Sequence, residues 1–406
     1  MIYPMDNTVQ RYAWGSRDAL TRLYGLDNPR RDPMAELWMG AHDKAPSKLV
    51  VDGVARTLGD HIAADPDAVL GRAASIDTGS SAVTLPYLFK ILCAGEPLSI
   101  QVHPSRDLAA SGYAAEQERG TPIDAPDRNY RDANHKPELI CAITPFWGLR
   151  GFRPVELIGT DFATEEFADC DVNIAAPRDE ADLRRYLTSV LTLDDDDRRD
   201  LIAAAIALAK SRWRAGADEQ PAVGDESARF YWILRIADAY PGDPGILSPL
   251  FLNVFSLRPG QATYQPAGVL HAYLGGVGAE LMACSDNVLR GGMTVKHVDV
   301  AELERAVCFR AELPVVVDGE PVDRVPGFQR YPTPFAEFEL WRGVVAGTVM
   351  IPGGVPQVIF CHEGSARLRV VDAVVDLAPG ASAFADAAAP GIEIDANATV
   401  FVARVP

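Results

Sequence analysis

LPYLFKILCAGEPLSIQVHP, residues 85–104, decides how the rest of this chain is read. Leu85 to Leu92 is a short apolar run suited to a buried strand, and Ala94-Gly95-Glu96-Pro97 turns the chain. Ser99 to Pro104 then reads as a second strand. Strand side chains alternate between faces, so Gln101 and His103 point the same way. An amide oxygen and an imidazole nitrogen on one face can serve one metal ion. Further along, His135-Lys136-Pro137-Glu138 offers a carboxylate, and Pro266-Ala267-Gly268-Val269-Leu270-His271 a second imidazole. Potential ligands from separated segments require a folded site, not a local finger.

Two imidazoles, a carboxylate and an amide oxygen with an open position match the form of a catalytic zinc centre. Spacing alone leaves plainer readings open. A core histidine is often satisfied by hydrogen bonds. Glu138 could cap or face solvent, and His42, His61, His297 and His362 are competing imidazoles. Lys90, Lys136, Glu280, Arg290 and Lys296 lie in turn-rich sequence around these positions, where single charges usually form surface ion pairs.

The chain has 406 residues, enough for two or three domains, with 48% hydrophobic and 23% charged residues, as in a soluble globular protein. Its net charge of −18 argues against a nucleic-acid groove or an anionic membrane surface, so an anionic ligand would need a local basic pocket. Cys93, Cys141, Cys170, Cys284, Cys308 and Cys361 form no Cys-x-x-Cys pair and read as reduced thiols of a cytoplasmic protein. The N-terminus has no signal-peptide pattern, and Leu201 to Ala209 is too short to span a bilayer.

The β pattern of residues 1–150 gives way over about 151–244 to helical spacing, at Arg178 to Leu191 and Asp194 to Ala215. Asp194 to Asp197 would occupy a helix first turn, favoured by the dipole. The β pattern returns at 245, with a strand from Leu252 to Leu257. After 316 come short strands: Val344 to Ile351, Gln357 to Cys361, Ala366 to Val371, Val374 to Leu377 and Thr399 to Ala403. The expected fold is mainly β with a helical insert: a discontinuous catalytic domain (1–150 and 245–315), a helical domain (151–244) and a C-terminal β domain (316–406). Jelly-roll barrels suit such short strands and Gly/Pro turns.

Several stretches together resemble the type I phosphomannose isomerase (mannose-6-phosphate isomerase) family of the cupin superfamily. They are Tyr12-Ala13-Trp14-Gly15-Ser16, Ala35 to His42, Leu85 to Leu92, Leu98 to Pro104, Asn134 to Glu138 and Phe146 to Phe152. Gln265 to Gly268, His271 to Leu274 and Ser285 to Gly292 complete the set, in the family's order. The likeness is weak in the insert and general after 316. It implies a cupin-type enzyme with one Zn²⁺ per chain that interconverts mannose 6-phosphate and fructose 6-phosphate. By motif, the zinc ligands would be Gln101, His103, Glu138 and His271. Arg290 falls on the active-site arginine, and Lys136, Glu280 and Lys296 on pocket-lining positions. Ser99 and Lys90 fall on the phosphate-contacting region, with Trp14, Tyr273 and Asn287 also expected at the substrate. Met293-Thr294-Val295-Lys296 departs from the family's usual Leu-Thr-Pro-Lys, freeing a φ angle before Lys296.

Isomerisation through an enediol needs a positioned base and stabilisation of the enolate charge. Glu280 is the expected carbon-proton shuttle, Arg290 the charge stabiliser, and Lys136 or Lys296 the group assisting oxygen proton transfer. The expected partner is a small sugar phosphate, with no nucleic acid or membrane, and the expected state a monomer. Two rivals are an Fe(II) oxygenase using His103, Glu138 and His271 as a facial triad, and a non-catalytic sugar-phosphate sensor.

Overall fold

The computed structural model describes every residue except 52, 80–81, 169, 171–175, 215 and 217–218. Strand-forming runs assemble into two antiparallel sheets, each of ten strands among the described residues. The longest element of the site sheet is the strand His271–Ala283, and it organises that sheet. Its start pairs with Ile100–Val102 and Phe146–Phe152. Beyond a register shift between Tyr273 and Gly275 it pairs with Tyr87–Ala94 and Glu138–Ala142. Gly276 makes the bend: its φ is +116°, and a Cβ there would lie 2.5 Å from the Pro145 carbonyl oxygen.

Alternation sorts this sheet into two faces. Ile100, Val102, Leu270, Ala272, Leu274 and Leu289 face outward into the apolar core shared with the helical insert. Gln101, His271, Tyr273 and Arg290, the intervening residues, are thereby turned inward. Along the second half, Ala279 and Leu281 face outward with Phe89, Ile91, Leu139 and Cys141. They pack against Phe360, Phe384 and Phe401 of the other sheet. Each buried Leu, Ile, Val or Phe among them contributes roughly 1.5–3 kcal/mol, so two apolar covers hold the inner polar face in place.

The insert is helical, as expected: Val155–Phe162, Asp182–Leu191, Asp195–Arg212 and Ala228–Ala239 are its longer helices. Asp194 caps one of them, accepting from the backbone N–H groups of Asp196 and Asp197, and Asp195 to Asp197 fill the first turn. That helix ends at Arg212, and Ala215 lies outside the described residues. The preceding helix starts at Asp182, not Arg178. The Asp182 carboxylate accepts from the Arg178 N–H and Asp179 accepts from the Asp182 N–H, a local turn that competes with helix. No helix among the described residues is long and apolar enough to cross a membrane.

The C-terminal strands are longer than the sequence suggested. Gln357 to Cys361 and Ala366 to Val371 merge into one strand, Gln357–Val370, which stops a residue short of Val371 and is continuous through a bulge between Cys361 and Glu363. It pairs with Gly391–Arg404, which also lines Glu339–Pro352. Segment 1–150 also divides between the sheets. Ile2–Asp6 pairs with Ser382–Ala385 and with Lys48–Val51, so these strands belong to the C-terminal sheet. A cut at 315/316 therefore does not separate the two sheets.

Gly276→Ala should lower unfolding free energy by about 1–3 kcal/mol, the cost of a strained backbone position. Urea denaturation will measure it, and an unchanged midpoint would remove the bend's dependence on glycine.

Candidate metal centre and active site

Cross-strand register aligns the inner face into rows. Trp38, Lys90, Glu280, Ile140 and Thr263 form one row across neighbouring strands. Met282, Glu138 and Gln265 form the next. Gln101 lies directly across from both His271 and Arg290. Residues distant in sequence are thus brought together by strand pairing alone.

His103, Glu138 and His271 are all buried, and their ligand atoms lie within 4.8 Å of one another. They form the one such three-residue group of His, Cys, Asp or Glu among the described residues. His103 Nδ1 is 2.9 Å from the Asn287 carbonyl oxygen, and His271 Nδ1 2.9 Å from that of Val269. With Nδ1–H donating to these carbonyls, both Nε2 lone pairs are left for a metal. His103 Nε2 lies 3.1 Å from Glu138 Oε1 yet has no hydrogen bond of its own, as expected of a coordinating atom. Gln101 Nε2 donates to Ser99 Oγ at 3.3 Å, leaving the amide oxygen available as a further donor. Two imidazoles, one carboxylate and an amide oxygen fit Zn²⁺.

Three of the four competing imidazoles are engaged elsewhere. His42 faces Asp286 at 3.4 Å, His61 faces Asp386 at 2.9 Å, and His362 meets the Tyr24 hydroxyl at 3.0 Å. His297 is exposed. His135 is paired with Glu337, which Arg106 also contacts.

Buried charge dominates the electrostatics. Lys136 Nζ sits 3.1 Å from Glu138 Oε1. Burial opposes ionisation of Glu138, but Lys136 and the two histidines hold its carboxyl well below the usual range. Burial pushes the His103 imidazole down to about 4, keeping it neutral and ligand-competent. Lys90 Nζ lies 3.3 Å from both Glu36 and Glu280. Burial works against its charge, yet the surrounding carboxylates Glu36, Glu280 and Glu138 raise its pKa. For Glu280 burial wins: despite Lys90, desolvation with Glu138 and Glu36 nearby pushes its carboxyl up to about 7. A carboxyl poised there is suited to taking and returning a proton. Burial, then Glu138 and Glu280, raise the Tyr273 hydroxyl well above its ordinary value, so it stays a neutral group beside both carboxylates.

Other expected residues are placed differently from one another. Arg290 is half-buried, and its pKa is lowered first by burial and then by Arg131. Lys296 is exposed as a residue, its pKa lowered by burial of the ammonium and by Arg290, Arg131 and Lys44. Arg290, Lys296 and Arg131 form a basic rim, whereas Lys44 is paired with Asp286 at 2.7 Å; Arg131 and Lys44 carry no signal in the sequence beyond their charge. Trp14 is half-buried against the apolar cluster that includes Phe146 and Tyr273. Lys90 is enclosed by carboxylates, so its charge is already compensated. Asn287 is wholly buried, with its amide engaged by the loop at 131–134. Glu36 was missed, although its alternation with Trp38 in Ala35-Glu36-Leu37-Trp38 marks an inward position.

In the metal-free protein, the Glu280 carboxyl band in difference infrared spectra should titrate near pH 7 and vanish in Glu280→Gln. Its proton is held more tightly folded than unfolded, so its contribution to stability is lost as pH rises from about 4.5 towards 7. Zinc should lower the midpoint by adding positive charge; titration near 4.5 without metal would disprove the burial effect.

A model of the type I phosphomannose isomerase catalytic domain matches residues 2–155. The mannose-6-phosphate isomerase of Salmonella typhimurium is 38% identical, over 98% of this chain and 98% of its own length. That of Escherichia coli is 39% identical over 93% of each, and that of Homo sapiens 32% identical over 86% and 83%. A crystal structure of zinc-bound mannose 6-phosphate isomerase superposes with a TM-score of 0.88 at 35% identity, covering 100% and 99% of the chains. A Salmonella typhimurium structure bound to its substrate and zinc gives 0.87 at the same identity and coverage. With its buried two-histidine, one-carboxylate group and full-length similarity, the chain belongs to the type I phosphomannose isomerase family.

Proposed function

We propose that this chain is a zinc-dependent isomerase interconverting mannose 6-phosphate and fructose 6-phosphate through an enediol. The observation that carries the reading is the placement of Glu280, its carboxyl raised to about 7, on the inner face beside the His103–Glu138–His271 group. Gln101, His103, Glu138 and His271 would hold the zinc, which supplies Lewis-acid polarisation of a substrate oxygen when bound.

The protein's own groups do the rest. Glu280 takes the proton from C2 of the aldose as the C–H electron pair moves into the enediolate, then returns it to C1. Lys136, beside Glu138, carries the proton between the two oxygens. Arg290 stabilises the enediolate charge, because a guanidinium stays protonated even where burial disfavours its charge. Lys296 and Arg131, with Arg290, give the rim the local positive field that a phosphate needs against a net charge of −18. Lys90 fits better as the cation that holds Glu280, and Ser99 as the group orienting the Gln101 amide, than as phosphate contacts. Trp14 and Tyr273 would line the sugar site.

The architecture is read as two cupin-type jelly-roll barrels. The catalytic one comprises 1–150 and 245–315, less the strands lent to the C-terminal barrel at 316–406, with the helical domain 151–244 inserted. The protein is read as a cytoplasmic monomer. An Fe(II) oxygenase would use the same three ligands but has no need of Glu280 or the basic rim.

A coupled assay with mannose 6-phosphate should show turnover, loss after chelation and recovery with Zn²⁺. Oxygen-dependent recovery with Fe²⁺ alone would favour the rival. Arg290→Ala should cut kcat by about 10²–10³-fold, the scale for losing one stabilising donor, with zinc content intact; near-normal kcat would remove that role. Glu280→Gln should abolish solvent deuterium incorporation at the substrate carbon, and continued exchange would place the base elsewhere.

A further inference from the structure

We infer that Asn287 is a positioning residue that fixes the zinc ligand His103 and the loop leading to Lys136 and Glu138, and does not touch substrate. This rests on the zinc-isomerase reading of the same site.

Asn287 has no exposed surface. Its Oδ1 accepts from the backbone N–H groups of Arg131 at 2.7 Å and Asp132 at 3.3 Å. Its Nδ2 donates to the carbonyl oxygens of Asp132 and Asn134, each at 2.8 Å, and to Asp132 Oδ1 at 3.1 Å. Its own N–H donates to Ser285 Oγ at 3.2 Å, and that hydroxyl donates to Asp132 Oδ1 at 2.8 Å. Both amide hydrogens and the amide oxygen are therefore spent inside the protein, and none remains for a sugar hydroxyl or phosphate.

The other side of the residue faces the metal ligand. The Asn287 carbonyl oxygen is the partner of His103 Nδ1 at 2.9 Å. That bond fixes which imidazole nitrogen is free and how the ring is turned. Any shift of the Asn287 backbone is thus passed to His103, and the side chain is what ties that backbone to the loop at 131–134. Two residues past Asn134 comes Lys136, and Glu138 opens the next strand. One amide therefore registers two zinc ligands and the oxygen-proton carrier relative to each other.

The test measures zinc affinity by chelator competition, apo-protein melting temperature, and KM and kcat at saturating zinc, for wild type, Asn287→Ala and Asn287→Asp. Asn287→Asp keeps the volume and the Oδ1 acceptor but replaces the Nδ2 donor with an oxygen facing two carbonyls. It therefore serves if the alanine variant does not fold. We expect zinc binding weakened about 10–100-fold in the folded variants, as for other groups that orient a metal ligand. We also expect lower kcat and a KM close to wild type. A raised KM with wild-type zinc affinity would make Asn287 a substrate contact and overturn the proposal. A lowered melting temperature with unchanged zinc affinity would reduce it to a structural role and overturn it equally. Wild-type protein that binds zinc but does not convert mannose 6-phosphate would sink the isomerase reading while leaving the clamp measurable.

Discussion

Uncompensated charge in a buried space is the constraint on which the inner face depends. Glu36, Glu138 and Glu280 are all buried there, against the buried ammonium groups of Lys90 and Lys136. Burying a carboxylate costs several kcal/mol unless a partner and hydrogen bonds offset it. Each lysine therefore sits within 3.3 Å of a carboxylate oxygen. Three acids against two cations leave an excess of negative charge, which the neutral His103 does not offset. The protein answers it in two ways. Glu280 holds its proton up to about pH 7. A divalent cation at His103, Glu138 and His271 would reverse the sign of the balance, coupling metal occupancy to the proton affinity of Glu280.

Keeping these charges apart from water requires rigid outer walls. The bent strand His271–Ala283 is covered outside by the helical insert over its first half and by the C-terminal sheet over its second. The C-terminal sheet is in that sense part of the site's scaffold, although it contributes no ligand. Glu337, ahead of its strand Glu339–Pro352, reaches Arg106 and His135, beside the loop that leads to Glu138. The strand Ile2–Asp6 adds a reciprocal tie, since the chain begins in the C-terminal sheet and only then enters the other.

Much of this was legible beforehand because alternation is local. Gln101 between Ile100 and Val102, and His271 between Leu270 and Ala272, announce which side chains face in. The acidic first turn after Asp194 likewise announces a helix start. The merging of Gln357–Cys361 with Ala366–Val371 was not legible. His362, Glu363, Gly364 and Ser365 are a polar interruption between two apolar runs, and only pairing with Gly391–Arg404 carries the strand through its bulge. Nor could the sequence say that Lys90 would be enclosed by two carboxylates, since Glu36 and Glu280 arrive on strands far away in the chain.

The sequence by itself determined the ligand types, their inward or outward facing and the family to which the motifs belong. These follow from residue chemistry and a two-residue period, both readable locally. Tertiary structure alone decided which polar residues already have their partners within the protein. Asn287 and Lys90 look like binding residues in a linear motif, yet in the fold the Asn287 amide is engaged by the loop at 131–134 and Lys90 is paired with Glu36 and Glu280. This follows because a side chain's capacity to bind depends on which partners have already satisfied it, and those partners come from distant segments of the chain.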